Sequence, residues 1–338
     1  MDPCSGSNEM SMPGERNFFF RDLHPAVLMG TASDRYAGWI GQIYSSGRYE
    51  GRISKRSKKV GTQTVMEEVL PVESVREYFQ HFSVLELDFT FYRPLVDQNL
   101  KSTQNYHVLE TYHKYLEKGD HLILKVPQAV FAQKFWRSGK FLENPDYLDA
   151  GIFTRRFYEP AVSLLGSHIS GFIFEQEYQL KQDRTPARDY VEALERFFRQ
   201  IPKDPRYHIE VRTESLLTRP YFDFLEKYGI GQVLSHWTWL PTLQKQFMKA
   251  SRRFFNAGRH CIVRLMTPRG VRYEDAYLKA FPFDKLVESM ISPGMIEDTV
   301  NIMKEAIRQE VRISVVINNR TGGNAPLIAR EISQKFLS

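Results

Sequence analysis

The residues able to do chemistry in this chain recur at the ends of short apolar runs. In Val84–Pro94 (VLELDFTFYRP), Glu86, Asp88, Thr90 and Tyr92 alternate with Leu85, Leu87, Phe89 and Phe91, the spacing of a strand with one polar face. The same parity sets Glu210 and Arg212 between Ile209 and Val211, and Arg264 between Val263 and Leu265. Lys125, Glu175, Gln176, Glu177, His236, Asn318 and Asn319 close other runs. Three acids (Glu86, Asp88, Glu210) then stand against three bases (Lys125, Arg212, Arg264). Buried charge persists only when it is paired, so an inward-facing set of this kind must form a balanced network. Glu86, Glu210 and Asp88 are the candidate acid–base groups, and Lys125, Arg212 and Arg264 would bind anionic oxygens. The plainer alternative is a salt-bridged interior with no catalytic part.

Other chemistries find less support. Of nine His, His236 alone sits at a strand end, and no HxH or HExxH spacing occurs. The expectation is a ligand site, with His236 and Asn318 among its residues, and no metal or cofactor. No nucleophile elbow accompanies a Ser–His–Asp set. A hydrolase or isomerase working without a transition metal is the enzyme class such residues would serve. Tyr36, Trp39, Tyr44, Phe91, Tyr92, Trp136, Trp237 and Trp239 fall on loops or strand ends, where a rim of rings stacks on sugars or bases.

Eight apolar runs could position these groups: Ala26–Ala32, Val84–Phe91, His121–Gln128, Ile169–Gln176, Tyr207–Glu214, Gly231–Trp237, Cys261–Thr267 and Arg312–Asn318. Between them lie amphipathic stretches such as Pro71–Phe82, Asp189–Gln200, Tyr221–Tyr228 and Glu297–Glu310. Strands alternating with helices predict a parallel α/β sheet, and eight units without a composition break predict one closed (β/α)8 TIM-like barrel. GTASDRYAG lacks the GxGxxG of a dinucleotide fold. Long βα-loops, Tyr36–Leu70 and Ala129–Tyr158, follow the first and third strands, on the face where such barrels keep their sites. Residues 1–22 read as a flexible tail and 23–338 as a single barrel domain.

The composition is that of a globular protein, with 42% hydrophobic and 25% charged residues. Two distant cysteines, Cys4 and Cys261, point to a reducing cytoplasm, and no apolar span predicts a membrane crossing. Net charge is +6, and between Arg48 and Lys59 six basic residues face one acid, Glu50. That run reads as a solvated loop or as an arm for nucleic-acid phosphates. The expected partner is therefore a small polar or anionic ligand, with nucleic acid as the alternative.

The ordered motifs resemble those of the domain-of-unknown-function 72, or YecE-like, family. GTASDRYAGW at Gly30–Trp39 is similar to the family's opening Gly-Thr-Ser motif with its aromatics and Trp. ELDFTFYRP resembles its Glu-x-Asn-x-Thr-Phe-Tyr strand, with Asp88 in place of Asn. Lys125 and Pro127 resemble its Lys-x-Pro strand end. Glu210 and Arg212 resemble its Glu-x-Arg strand, without the Trp that commonly follows. Arg264–Leu265 resembles its Arg-Leu strand, and NNRTGGNA at Asn318–Ala325 its Asn-Asn segment. In the fourth strand EQEYQL replaces the family's Gln-Phe-Pro-Pro, with Gln176 as the counterpart. The resemblance spans about residues 26–337 and implies a TIM-barrel-like fold, but no activity.

Overall fold

The computed structural model describes residues 18–137 and 140–338, the side chains of 136, 137, 140 and 141 excepted. All eight expected strands form: β1 (Val27–Ala32), β2 (Val84–Leu87), β3 (His121–Lys125), β4 (Ile169–Glu175), β5 (Tyr207–Glu210), β6 (Gly231–His236), β7 (His260–Leu265) and β8 (Arg312–Ile317). They pair in parallel and in sequence order, and β1 closes the barrel between β8 and β2. Helices such as Val75–His81, Ala187–Phe198, Arg219–Tyr228 and Met295–Arg308 return the chain from one strand to the next. Outward strand residues, among them Leu85, Leu87, Ile209, Val263 and Leu265, join the helices in one large core. Among the described residues no helix is long and apolar enough to cross a membrane.

The second run departs from its expected length. The strand stops at Leu87, and Asp88–Phe91 turns as a short 3-10 helix. Thr90 holds that turn by donating its hydroxyl to the Leu87 and Lys125 carbonyls. Alternation therefore ends at Asp88, and Asp88 does not share an inward face with Glu86. Phe18 and Phe20 are buried and Arg21 pairs with Asp120, so packing begins before the expected tail boundary at residue 22. Residues 1–17 lie outside the described residues.

Both long loops carry an antiparallel hairpin: Ser54–Val60 with Gln63–Val69, and Lys134–Arg137 with Lys140–Glu143. The first contains most of the basic run, and its charges find acids. Lys55 meets Glu68, Arg56 and Lys58 meet Glu67, Arg52 meets Glu73 and Arg48 meets Glu77. Glu67 also takes the Tyr277 hydroxyl, and Lys58 lies 4.5 Å over the Tyr277 ring. The run is a solvent-exposed hairpin, five of whose six cations are paired with acids.

Inside the barrel the inward residues form levels. An apolar belt of Leu28, Val84, Ile123, Ile173, Val233, Ile262 and Val316 fills the middle. Gly30 and Gly231 permit close approach: a Cβ there would strike the Val84 carbonyl or the His208 ring. At the N-terminal end His208 and His260 face each other with ring centroids 5.0 Å apart. His208 Nε2 reaches the His260 carbonyl at 3.1 Å, and His260 Nε2 reaches Ser314 Oγ at 2.8 Å.

This floor carries a pH dependence. Burial lowers His208 from 6.5 to about 4, and burial with the neighbouring His208 holds His260 well below 6.5. Both imidazoles stay neutral in the folded barrel, whereas the unfolded chain protonates them below pH 6.5. Stability is thus full above about pH 6.5 and falls as pH drops towards about 4, by about 3 kcal/mol for His208 alone. His208→Asn should flatten this fall. Wild-type urea midpoints that stay constant between about pH 7.5 and pH 4.5 would contradict it.

Candidate active site at the barrel mouth

Above the apolar belt, at the C-terminal ends of the strands, six charges converge. Arg264 from β7 is at the centre. Its Nε and Nη2 grip Glu86 of β2 at 2.7 and 2.6 Å, a two-pronged guanidinium–carboxylate pair. Its Nη1 donates to Glu175 of β4 at 3.2 Å and to Glu210 of β5. Glu175 Oε2 also receives Lys125 Nζ at 2.6 Å and Arg212 Nη2 at 2.8 Å. Arg212 Nε lies 3.2 Å from Glu210 Oε1 without the alignment of a hydrogen bond. Three carboxylates and three cations balance, as the sequence requires, but the third acid is Glu175 and not Asp88. Strand parity contains that signal: Gly171, Ile173 and Glu175 share a face, and Ile173 lies in the inner belt.

Depth divides the set. Glu86, Glu210 and Arg264 are at 0% exposure, whereas Lys125 at 7% and Glu175 at 9% border the mouth beside the half-buried Arg212. Burial pushes the Glu86 carboxyl up, against the pull of Arg264. At Glu175 burial is overcome by Arg212, Lys125 and Arg264, which hold it well below the usual carboxylate range. Against the cost of burial, Glu210, Glu86 and Glu175 keep Arg264 charged. Glu175 is therefore held ionised by its three cations and is unsuited to donating a proton.

Aromatic rings support the cations from the mouth side. Lys125 Nζ lies 4.0 Å over Phe91, and the Arg212 guanidinium lies 4.7 Å over Trp237. Tyr178, following β4, continues that face, with centroids 5.8 Å from Trp237 and 5.9 Å from Trp239. Tyr178 and Trp239 also line a cavity of about 430 Å³ with Arg184, Glu214, Leu217 and Lys249. A larger cavity of about 600 Å³ lies between Phe198, Tyr207 and Tyr228, near the N-terminal ends of β5 and β6. The charges lie at the other end of the barrel, so the mouth is the stronger candidate.

The remaining expected ligand residues sit as follows, most of them engaged within the chain. Gln176 accepts from the Arg212 and Thr213 backbone N–H groups at 3.0 and 3.2 Å, which positions Arg212. Trp39 is buried and donates to Asn319 at 3.2 Å, and Tyr44 stacks beside it. Asn318 caps the next turn through the Arg320 N–H. His236, lowered by burial to about 4, bonds Ser292 Oγ at 3.0 Å. Tyr36 packs 4.9 Å from Trp39, and Tyr92 is exposed on the rim. The Trp136 side chain lies outside the described residues.

The depth division predicts unequal costs. Arg264→Leu leaves Glu86 and Glu210 buried without their main counter-charge and should destabilise by about 3–5 kcal/mol. Lys125→Met leaves Glu175 two cations and should cost about 1–2 kcal/mol. Equal costs in urea unfolding would refute the division.

Comparison with known proteins agrees with this architecture. The structure is similar to a DUF72 family protein from Thermotoga maritima, at 18% identity, TM-score 0.56, covering 92% of this chain and 99% of that one. It is likewise similar to a DUF72 family protein from Enterococcus faecalis, at 14% identity, TM-score 0.56, covering 92% and 96%. No curated protein matches the chain. Residues 66–337 match the family described as "Protein of unknown function DUF72", so β2 to β8 with all six mouth charges lie inside the match and β1 precedes it. The chain belongs to the DUF72 family and carries its TIM-like barrel.

Proposed function

We propose that the mouth binds, and acts on, a ring-bearing polyhydroxylated ligand of sugar type. The observation that carries this reading is Arg212, which bonds Glu175 on one side and covers Trp237 on the other. A neutral ring can stack on the Tyr178–Trp237–Trp239 face while its hydroxyls meet charge-assisted donors and acceptors. Because the six charges already balance, they favour a polar ligand over a bare anion. In a hydrolase or isomerase at this position, Glu175 stabilises developing positive charge and the half-buried Asp88 transfers protons. Glu86 and Glu210, fully buried, act through Arg264 rather than on the ligand.

Nucleic acid on the basic hairpin is the second reading. It has less behind it, since five of the six cations there hold carboxylates that phosphates must displace. Binding with a log–log salt slope of roughly −5 would support it.

Titration of the full chain with neutral mono- and oligosaccharides, followed by tryptophan fluorescence, tests the first reading. A saturable change is expected, weakened about three- to tenfold in Trp237→Ala. A panel without any saturable response would end the sugar reading.

A further inference from the structure

The turn after β8 holds a cation that the network does not use. Arg320 forms an ion pair with no carboxylate among the described residues, unlike Lys125, Arg212 and Arg264 at the same mouth. Its guanidinium lies 4.5 Å over the Tyr273 ring, which fixes its plane. Among the described residues its Nε is buried without a partner, and its terminal nitrogens make no hydrogen bond. The two residues beside it repeat the pattern. Asn319 Oδ1 accepts from Trp39 Nε1 and the Ala325 N–H, so the other atom of that amide must be the NH₂ group. Among the described residues that NH₂ is buried and unpartnered, and so is the Thr321 hydroxyl.

Barrel order brings further donors to this side. Tyr36, Tyr92 and Tyr273 follow β1, β2 and β7, and with the β8 turn these are four adjacent strands. Tyr36 packs 4.9 Å from Trp39, whose indole reaches Asn319 beside Arg320, and the exposed Tyr92 packs 5.6 Å from Phe91, the ring under Lys125. At Tyr36 burial and Asp88 push the phenol up while Arg320 draws it down. Protonated phenols donate hydrogen bonds. The aromatic face at Tyr178 and Trp237 belongs to β4 and β6, on the opposite side of the mouth.

We propose that Arg320, supported by Tyr273 and flanked by Tyr36 and Tyr92, is an oxyanion subsite that takes a phosphate group on the rim. A planar guanidinium fork beside separate hydroxyl donors suits an oxyanion with several accepting oxygens. Taken with the sugar reading, on which this part rests, the ligand is a phosphorylated sugar, its ring on the Trp237 side and its phosphate at Arg320. The negative charge of the half-buried Asp88, which acts on Tyr36 and Tyr92, opposes an anion there.

Calorimetric titration of the full chain with inorganic phosphate at low ionic strength tests the subsite. Saturable binding is expected, weakened about tenfold to a hundredfold in Arg320→Gln. Arg320→Lys, which keeps the charge and loses the fork, should fall between them and decides the matter if Arg320→Gln unfolds. Asp88→Asn should tighten phosphate binding, and a weakening would identify Asp88 as the holder of Arg320 and overturn the assignment. No phosphate binding by the wild type, or unchanged binding in both Arg320 variants, overturns it as well. Neutral sugar titrations on Arg320→Gln separate the two readings. Retained sugar binding without phosphate binding in the wild type leaves the ring site alone, and the reverse leaves the phosphate subsite alone.

Discussion

The structure depends on one fully desolvated guanidinium. Arg264 lies in the throat of the barrel with three carboxylates around it, and each carboxylate comes from a different strand. A charge in that position has no water to fall back on, so β2, β4, β5 and β7 must all deliver their end residues together. The pairing thereby ties closure of the barrel to assembly of its mouth. Lys125 and Arg212 complete the neutrality from above, and with Glu175 they are the members that solvent reaches.

This arrangement separates two tasks often placed on the same residues. The lower half of the network holds the strand ends in register and has no exposed surface from which to do chemistry. The upper half is preorganised by the lower, since Glu175 shares Arg264 with Glu210 and Arg212 with the mouth. Gln176 adds backbone support to Arg212, and Thr90 fixes the turn that carries Asp88 and Tyr92. A site built this way is rigid at its base and open to solvent at its aromatic rim.

Much of this was legible before the structure. The eight strands follow from apolar runs separated by amphipathic helices, and the barrel from their number and order. Five of the six network residues follow from parity, because a charged residue between β-branched or aliphatic neighbours has one inward direction. Asp88 was misread because a 3-10 turn interrupts the alternation, and the hydroxyl that causes the turn acts on a carbonyl of the next strand. The first hairpin was illegible for another reason: most of its residues are exposed, so no apolar period marks it. Its acids lie about ten residues from its bases, and only the antiparallel register brings them opposite. Gln176 and Trp39 looked like ligand residues because polarity and aromaticity do not reveal whether a partner is a substrate or the chain itself.

The closed neutrality of the Arg264 network also bears on how such a barrel can diverge. Replacing Glu86, Glu210 or Arg264 singly strands another charge in the dry interior, so these three positions are free to change only together. Tyr178, Trp237, Trp239 and the turn at Arg320 take no part in that charge balance, and exchanging one of them strands no buried charge. Descendants of one barrel would thus differ first at the rim, acquiring new ligands while the inner charges pass unaltered from one to the next.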